Sequence, residues 1–209
     1  MKLLLLGAPA SGKGTFGKIL SQKLSLPLIS SGVILRDLDQ SHPRYEEVHK
    51  TMLEGGLVDQ QLLRELLIER TNQPDCANGF ILEGWGRKMI DIELFNPGFD
   101  HVIHYVISKE LAYKRITGRR SCPEDGSVYN IHTNPPKVEG KCDLCGADLV
   151  QRADDNEETL NTRYGLFETE TTKVVEFFKN QGNLIEISGD GVPEEIVDVT
   201  LSLLPHDQH

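Results

Sequence analysis

Short, continuously apolar runs alternate along this chain with longer stretches in which apolar residues recur every three or four positions. KLLLL at 2–6, PLIS at 27–30, GFILE at 79–83, HVIHYVI at 101–107 and NLIEI at 183–187 have the length and continuity of buried strands. Between the first two, Phe16, Ile19, Leu20 and Leu24 fall on one face of a helix. Asp59 stands before QQLLRELLIER, where its carboxylate can accept from the free N–H groups of a first turn, and Leu62, Leu63, Leu66 and Leu67 form the apolar face. Helical character resumes from Glu157 to Asn180, and Val192 to Leu204 predicts a closing helix entered through Pro193. Strands alternating with helices predict an α/β fold in which a parallel sheet is covered on both faces.

One segment breaks the alternation. Residues 121–153 are rich in Pro, Gly and Cys, alternate only weakly, as in SVYNIH, and carry little apolar material of their own. They predict a small subdomain inserted into a larger core, which suits a chain of 209 residues with 38% hydrophobic content. The net charge is -10, from 22 Lys and Arg against 32 Asp and Glu, so neither nucleic acid nor an anionic membrane is an expected partner. An anionic ligand has to be met by local charge. The leucine run after Lys2 stops at Gly7, short of an export signal or a membrane span, and four cysteines without disulfide-like density predict a reduced, cytoplasmic compartment.

Local charge is found at Gly7-Ala8-Pro9-Ala10-Ser11-Gly12-Lys13-Gly14-Thr15, between a predicted strand and a predicted helix. Glycines let the backbone wrap so that its N–H groups and the helix N-terminus face an anion, and Lys13 adds a mobile positive charge. Gly14 separates Lys13 from Thr15, whereas the strict form of such loops carries the hydroxyl directly after the lysine.

This GKGT form resembles the phosphate loop of the adenylate kinase family of nucleoside monophosphate kinases, with Ala10 in place of its usual middle glycine. SSGVILR at 30–36, GLVDQQL at 56–62, NGFILEGWGR at 78–87, GRR at 118–120, NPPKVEGK at 134–141 and QRADDNEET at 151–159 extend the resemblance, in order, along nearly the whole chain. It implies a P-loop fold with a five-stranded parallel sheet flanked by helices, its core at 1–29, 59–119 and 159–209. It further implies a monophosphate-binding arm at 30–58 and a mobile lid at 120–158, in a monomer. The activity implied is reversible, Mg-dependent transfer from ATP to AMP, giving two ADP.

The resemblance also assigns roles. Residues Gly7 to Thr15, with Arg115 and Arg119, would bind ATP; Ser31, Arg36, Leu57, Val58, Gly84, Arg87, Asp91, Arg152 and Arg163 would bind AMP. Lys13, Arg87, Arg119, Arg152 and Arg163 would be catalytic, because phosphoryl transfer needs alignment and charge neutralisation, which planar, permanently ionised guanidiniums supply. Asp154 and Asp155 match lid carboxylates of the family and could also cap the helix at Glu157.

Departures cluster at the acceptor side. Glu83 replaces the family aspartate that organises Mg2+ through water, Trp85 a phenylalanine, Gly86 a proline and Val33 an aspartate. Asp91 stands where adenylate-specific members carry a glutamine that both accepts and donates, whereas a carboxylate only accepts and so favours donor-bearing edges such as those of guanine or cytosine. A monophosphate kinase with a shifted acceptor base, such as GMP or CMP, stays open beside the AMP reading. So does a nucleotide-binding paralogue with reduced activity, on the strength of the EGWGR loop.

Cys122 and Asp125, then sixteen residues, then Cys142 and Cys145 provide three soft ligands and one carboxylate in two paired turns, a set suited to tetrahedral structural zinc. Zinc-bearing lids of the family use such pairs. A redox CxxC and a metal-free lid are the alternatives; His132 could compete with Asp125, although its place after SVYNI predicts an ordinary strand residue. A zinc-ribbon nucleic-acid binder is disfavoured by the net charge. Cys76 is expected to be a packed small residue.

Overall fold

The structure, a computed structural model, describes residues 1–205; positions 206–209, the end of the segment assigned above to the core, lie outside the described residues. In chain order, β1 (Lys2–Gly7) leads through the glycine-rich loop to α1 (Lys13–Leu24), then β2 (Leu28–Ser30), α2 (Ser31–Arg36), α3 (Tyr45–Leu53) and α4 (Gln60–Thr71). A 3-10 turn at Pro74–Cys76 precedes β3 (Phe80–Glu83), α5 (Met89–Leu94), β4 (His101–Val106) and α6 (Lys109–Gly118). The insertion carries a hairpin of β5 (Arg119–Ser121) and β6 (Val128–Asn130), and the core resumes with α7 (Glu157–Leu166), α8 (Thr172–Gln181), β7 (Leu184–Ser188) and α9 (Pro193–Leu203).

Five strands form one parallel sheet in the order β2-β3-β1-β4-β7. The continuity of the apolar runs has a direct cause, since side chains alternate between faces and both faces are buried. Leu4, Leu6, Leu82 and Val102 pack on one side with Leu63 and Leu67 of α4 and Phe178 of α8. Leu3, Leu5, Ile81, Ile103 and Tyr105 pack on the other with Phe16 and Leu20 of α1 and Val197 of α9. Asp59 accepts from the Leu62 N–H at 2.9 Å and starts α4 as its position predicts. Among the described residues no helix is long and apolar enough to cross a membrane.

Helical periodicity after Glu157 conceals a change of pitch. Between α7 and α8, Phe167–Thr171 form a widened, π-helical turn, and the Thr171 hydroxyl donates to the Arg87 carbonyl at 3.0 Å. In the insertion, β6 ends at Asn130, so His132 is a turn residue and not the strand residue its neighbours predict. The Asn130 Oδ1 accepts from the His132 and Thr133 N–H groups at 2.9 and 3.1 Å, folding the chain back on itself. Cys76 is buried in the core as expected.

The EGWGR loop leaves β3 through two unusual residues. Trp85 is 1% exposed, and its indole N–H donates to the Phe95 carbonyl at 2.9 Å, so the larger ring is absorbed by the core. Gly86 sits at φ 72, in the left-handed region. Proline, whose ring holds φ near about -65°, cannot take that conformation. Gly86→Pro is therefore expected to lower stability by more than about 1 kcal/mol, and by more than Gly86→Ala. Chemical denaturation of the three proteins checks this; a Gly86→Pro midpoint at or above wild type would contradict the left-handed turn.

Candidate active site

Where β1 ends, the backbone turns through Ala10 at φ 60 and Gly12 at φ 97 before α1 begins. Left-handed geometry costs an ordinary L residue about 1–2 kcal/mol, so Ala10 holds strain where a glycine would hold none. Gly12 has a second constraint, because a Cβ there would come within 2.6 Å of the Phe16 ring. Among the described residues no side chain caps α1, which leaves first-turn N–H groups free for an external acceptor. The Lys13 ammonium lies back along the loop, donating to the carbonyls of Gly7 at 2.9 Å and Ala8 at 2.8 Å and to the Ser11 hydroxyl at 3.1 Å.

This loop forms one wall of a large cavity. Lys13, Arg36, Arg87, Arg119, Arg152 and Arg163 all line it, against three carboxylates, Glu83, Asp91 and Asp154. These cations come from the start of α1, the end of α2, the β3–α5 loop, β5, the segment before α7 and α7 itself. Burial pushes the Lys13 ammonium down to about 8, with Glu83 opposing the shift and Arg87 and Arg119 adding to it. Burial lowers Arg36 and Arg87 too, and burial with repulsion from Arg119 and Arg36 brings Arg152 down to about 10. The cluster is therefore held in a state that disfavours its own charge.

Two arginines are steadied by acids. Arg119 makes a two-pronged pair with the fully buried Asp155 carboxylate, and Arg163 pairs with Asp154. Neither aspartate caps the helix at Glu157: Asn156 does, accepting from the Thr159 N–H at 2.9 Å. Helix capping, one of the two uses suggested by their sequence position, is therefore corrected, because Asn156 is the residue adjoining the first turn. Arg152 Nε donates to the Ser121 hydroxyl at 2.9 Å, joining the segment before α7 to β5.

Other residues singled out from the sequence fall into four places. Gly7, Pro9 and Ala10 line the cavity, as do Ser31, Leu57, Val58 and Gly84. Ala8 and Ser11 are buried behind the loop, and Gly14 and Thr15 lie in the first turn of α1. Arg115 stands outside the cavity on α6, donating to the Gly189 carbonyl at 2.8 Å and the Ser11 carbonyl at 3.4 Å behind the loop. The Ser30 hydroxyl holds Glu83, the Ser31 hydroxyl donates to the Gly84 carbonyl at 2.8 Å, and Val33 is 47% exposed. Phe167 and Thr171 also line the cavity and carried no sequence signal; a π-helical turn brings them in.

In the inserted segment, Cys122, Asp125, Cys142 and Cys145 offer four ligand atoms within 4.8 Å of one another. Two similar turns present them. Cys122 N–H donates to Ser127 and Cys142 N–H to Ala147, each at 2.8 Å, and each ligand pair is followed by a glycine at positive φ, Gly126 and Gly146. The Cys142 thiol is 3.0 Å from Asp125 Oδ2, and the Cys122 and Cys145 sulfurs are 3.4 Å apart. Tyr129, Ala147 and Leu149 are its few apolar neighbours. Three sulfurs and one carboxylate at this separation are compatible with tetrahedral zinc, and His132 lies outside the cluster.

Comparison with known proteins agrees with this architecture. A family model described as adenylate kinase matches residues 5–183. The adenylate kinase of Clostridium perfringens (strain SM101 / Type A) is 36% identical over 216 residues, covering 100% of both chains. That of Moorella thermoacetica is 37% identical, covering 97% of this chain and 98% of its own, and that of Anaeromyxobacter dehalogenans is 38% identical, covering 98% and 99%. A phosphate loop, a cation-lined cavity and a cysteine-bearing insertion, carried by a chain that aligns end to end with these enzymes, place the protein in the adenylate kinase family.

Proposed function

We propose that the protein moves a phosphoryl group reversibly between ATP and a nucleoside monophosphate, AMP above all, and that the cavity is where the two nucleotides meet end to end. The observation that supports this most strongly is the convergence of Lys13 and five arginines on one cavity. In the forward direction an acceptor phosphate oxygen forms a bond to the donor's terminal phosphorus as the bond to the bridging oxygen breaks. No side chain need form a covalent bond, so positioning and charge carry the catalysis.

Each group then has a task. The loop amides and the start of α1 cradle the donor phosphates, and Lys13 leaves its carbonyl partners to follow the transferred group. Arg36 and Arg87 grip the acceptor phosphate; Arg119, Arg152 and Arg163 surround the moving group, with Asp155 and Asp154 holding two of these forks in orientation beforehand. Arg115 offers its guanidinium face to the donor base. Residues 30–58 act as the monophosphate arm and 120–158 as the lid, whose closure excludes water that would otherwise accept the phosphoryl group.

Mg2+ accompanying ATP would neutralise its outer phosphate oxygens. Glu83, held by Ser30 on the cavity wall beside Lys13, is the carboxylate fitted to order its waters, while Val33 has no ligand atom to offer. Zinc at Cys122, Asp125, Cys142 and Cys145 would cross-link a lid whose apolar core is too small to hold its shape, with all four positions filled by protein.

A coupled assay of AMP-dependent ADP formation tests the reading. Lys13→Met is expected to lower kcat by about 10²–10³ while the folded protein is retained. A loss of less than tenfold would sink the role given to Lys13, and binding without AMP-dependent turnover would favour a non-catalytic paralogue.

Lys13 also sets a pH dependence. Its folded value of about 8 lies below the ordinary 10.5, so between these the unfolded chain binds more protons and nucleotide-free stability rises with pH. ATP binding works in the opposite sense, because the bound anion restores the proton. The Kd for ATP is expected to climb by up to about tenfold per pH unit above pH 8, with proton uptake visible by calorimetry in two buffers. A flat Kd from about pH 7.5 to 9.5 would contradict it.

A further inference from the structure

Thr171 ends the widened turn between α7 and α8, is 6% exposed and lines the cavity. Threonines within helices commonly give their hydroxyl proton to the carbonyl four residues earlier, a bond that stays inside the helix. Thr169 and Thr172 do so, donating to the carbonyls of Gly165 at 2.9 Å and Glu168 at 2.8 Å. Thr171, between them, does not. Its hydroxyl crosses to the Arg87 carbonyl at 3.0 Å, in a loop that is distant in sequence. A π-helical turn re-aims the side chains it carries, and here it exchanges a local bond for one that reaches the cavity wall.

The residue it reaches has few other restraints. Arg119 and Arg163 each pair with a carboxylate, Asp155 and Asp154, whereas among the described residues the Arg87 guanidinium has no hydrogen-bonded partner. Arg87 is held by its backbone, whose N–H donates to Asp91 at 2.7 Å and whose carbonyl accepts from Thr171. Gly86 before it, at φ 72, brings no Cβ to stiffen the loop. The surrounding charges pull in opposite directions, with Glu83 and Asp91 attracting the guanidinium and Arg163 and Arg36 repelling it. Arg163 lies on α7, the helix that runs into the turn carrying Thr171. The hydroxyl therefore ties the loop bearing one guanidinium to the helix bearing another, against their mutual repulsion.

We propose that Thr171 is a positioning residue for phosphoryl transfer, whose hydroxyl fixes the Arg87 backbone so that its guanidinium meets the acceptor phosphate in register with Arg163. The proposal rests on the kinase reading above and adds to it a residue that acts through Arg87. Without the hydroxyl the loop yields to the repulsion, and the acceptor phosphate meets a misplaced fork. The donor seat is spared, because the phosphate loop and Lys13 have anchors of their own.

The test compares Thr171→Val, of similar shape but without the donor, with Thr171→Ser, which keeps it. In Thr171→Val, kcat/KM for AMP is expected to fall by about tenfold with KM for ATP unchanged, and Thr171→Ser to restore most of the loss. In an Arg87→Ala background, Thr171→Val should cost little more, since the residue it positions is gone. Unchanged kinetics in a folded but less stable Thr171→Val would overturn the proposal. So would an equal rise in KM for ATP, a serine variant as impaired as the valine one, or a full additional loss on top of Arg87→Ala. Should Thr171→Val fail to fold, Thr171→Ala removes the same donor with less to refit and is read in the same way. Absence of AMP-dependent turnover in wild type would count against the kinase reading instead. Calorimetric titration with AMP then decides on Thr171 alone: an affinity about tenfold weaker in the valine variant and recovered in the serine one supports the proposal, and an unchanged affinity overturns it.

Discussion

Like charges crowded into a partly dehydrated space repel one another, and the cation-lined cavity of this protein concentrates that repulsion. Six cationic side chains face three carboxylates there, and burial lowers the proton affinity of Lys13, Arg36, Arg87 and Arg152 together. Such a cluster lowers the stability of the empty protein and binds strongly any anion that neutralises it. The chain as a whole is acidic at -10, so this attraction is local and not a property of its overall charge. Asp154 and Asp155 are the local compensation, each tying down one arginine without filling the centre.

The fold supplies the rigidity that holds this arrangement. Leucines of β1 alternate between two apolar clusters, so the central strand is gripped from both faces and its C-terminal end presents the phosphate loop at a fixed place. Glu83 and Arg87 leave the neighbouring strand β3 on the same side, brought level by parallel pairing of Leu5 with Glu83. The inserted segment is built on a different principle. Its apolar core is only a few residues, and two cysteine turns bring four potential ligand atoms together beside it.

Elements governed by local rules were legible from the residues alone. Five apolar runs became five strands, Asp59 capped α4, and the cysteine spacing brought four ligand atoms together, since each depends on short-range pattern. What could not be read depended on contacts made across the fold. Phe167 and Thr171 reach the cavity because a helix widens by one turn, a change that periodicity does not record. Asp154 and Asp155 look like helix caps until their distant arginines are in view, and His132 looks like a strand residue until Asn130 turns the chain. Asp91 was visible as an unusual residue, yet only the structure reveals that one of its oxygens is spent on the backbone and the other is left alone.

The account stands on one cavity serving two nucleotides joined through their phosphates. Isothermal titration with a dinucleoside pentaphosphate, long enough to span both seats, addresses this most directly. One molecule should bind per chain and exclude both ATP and AMP, each of which should bind in the presence of the other. If the compound displaced only one of them, or if ATP and AMP competed for a single seat, the guanidiniums would not be meeting at a transfer site.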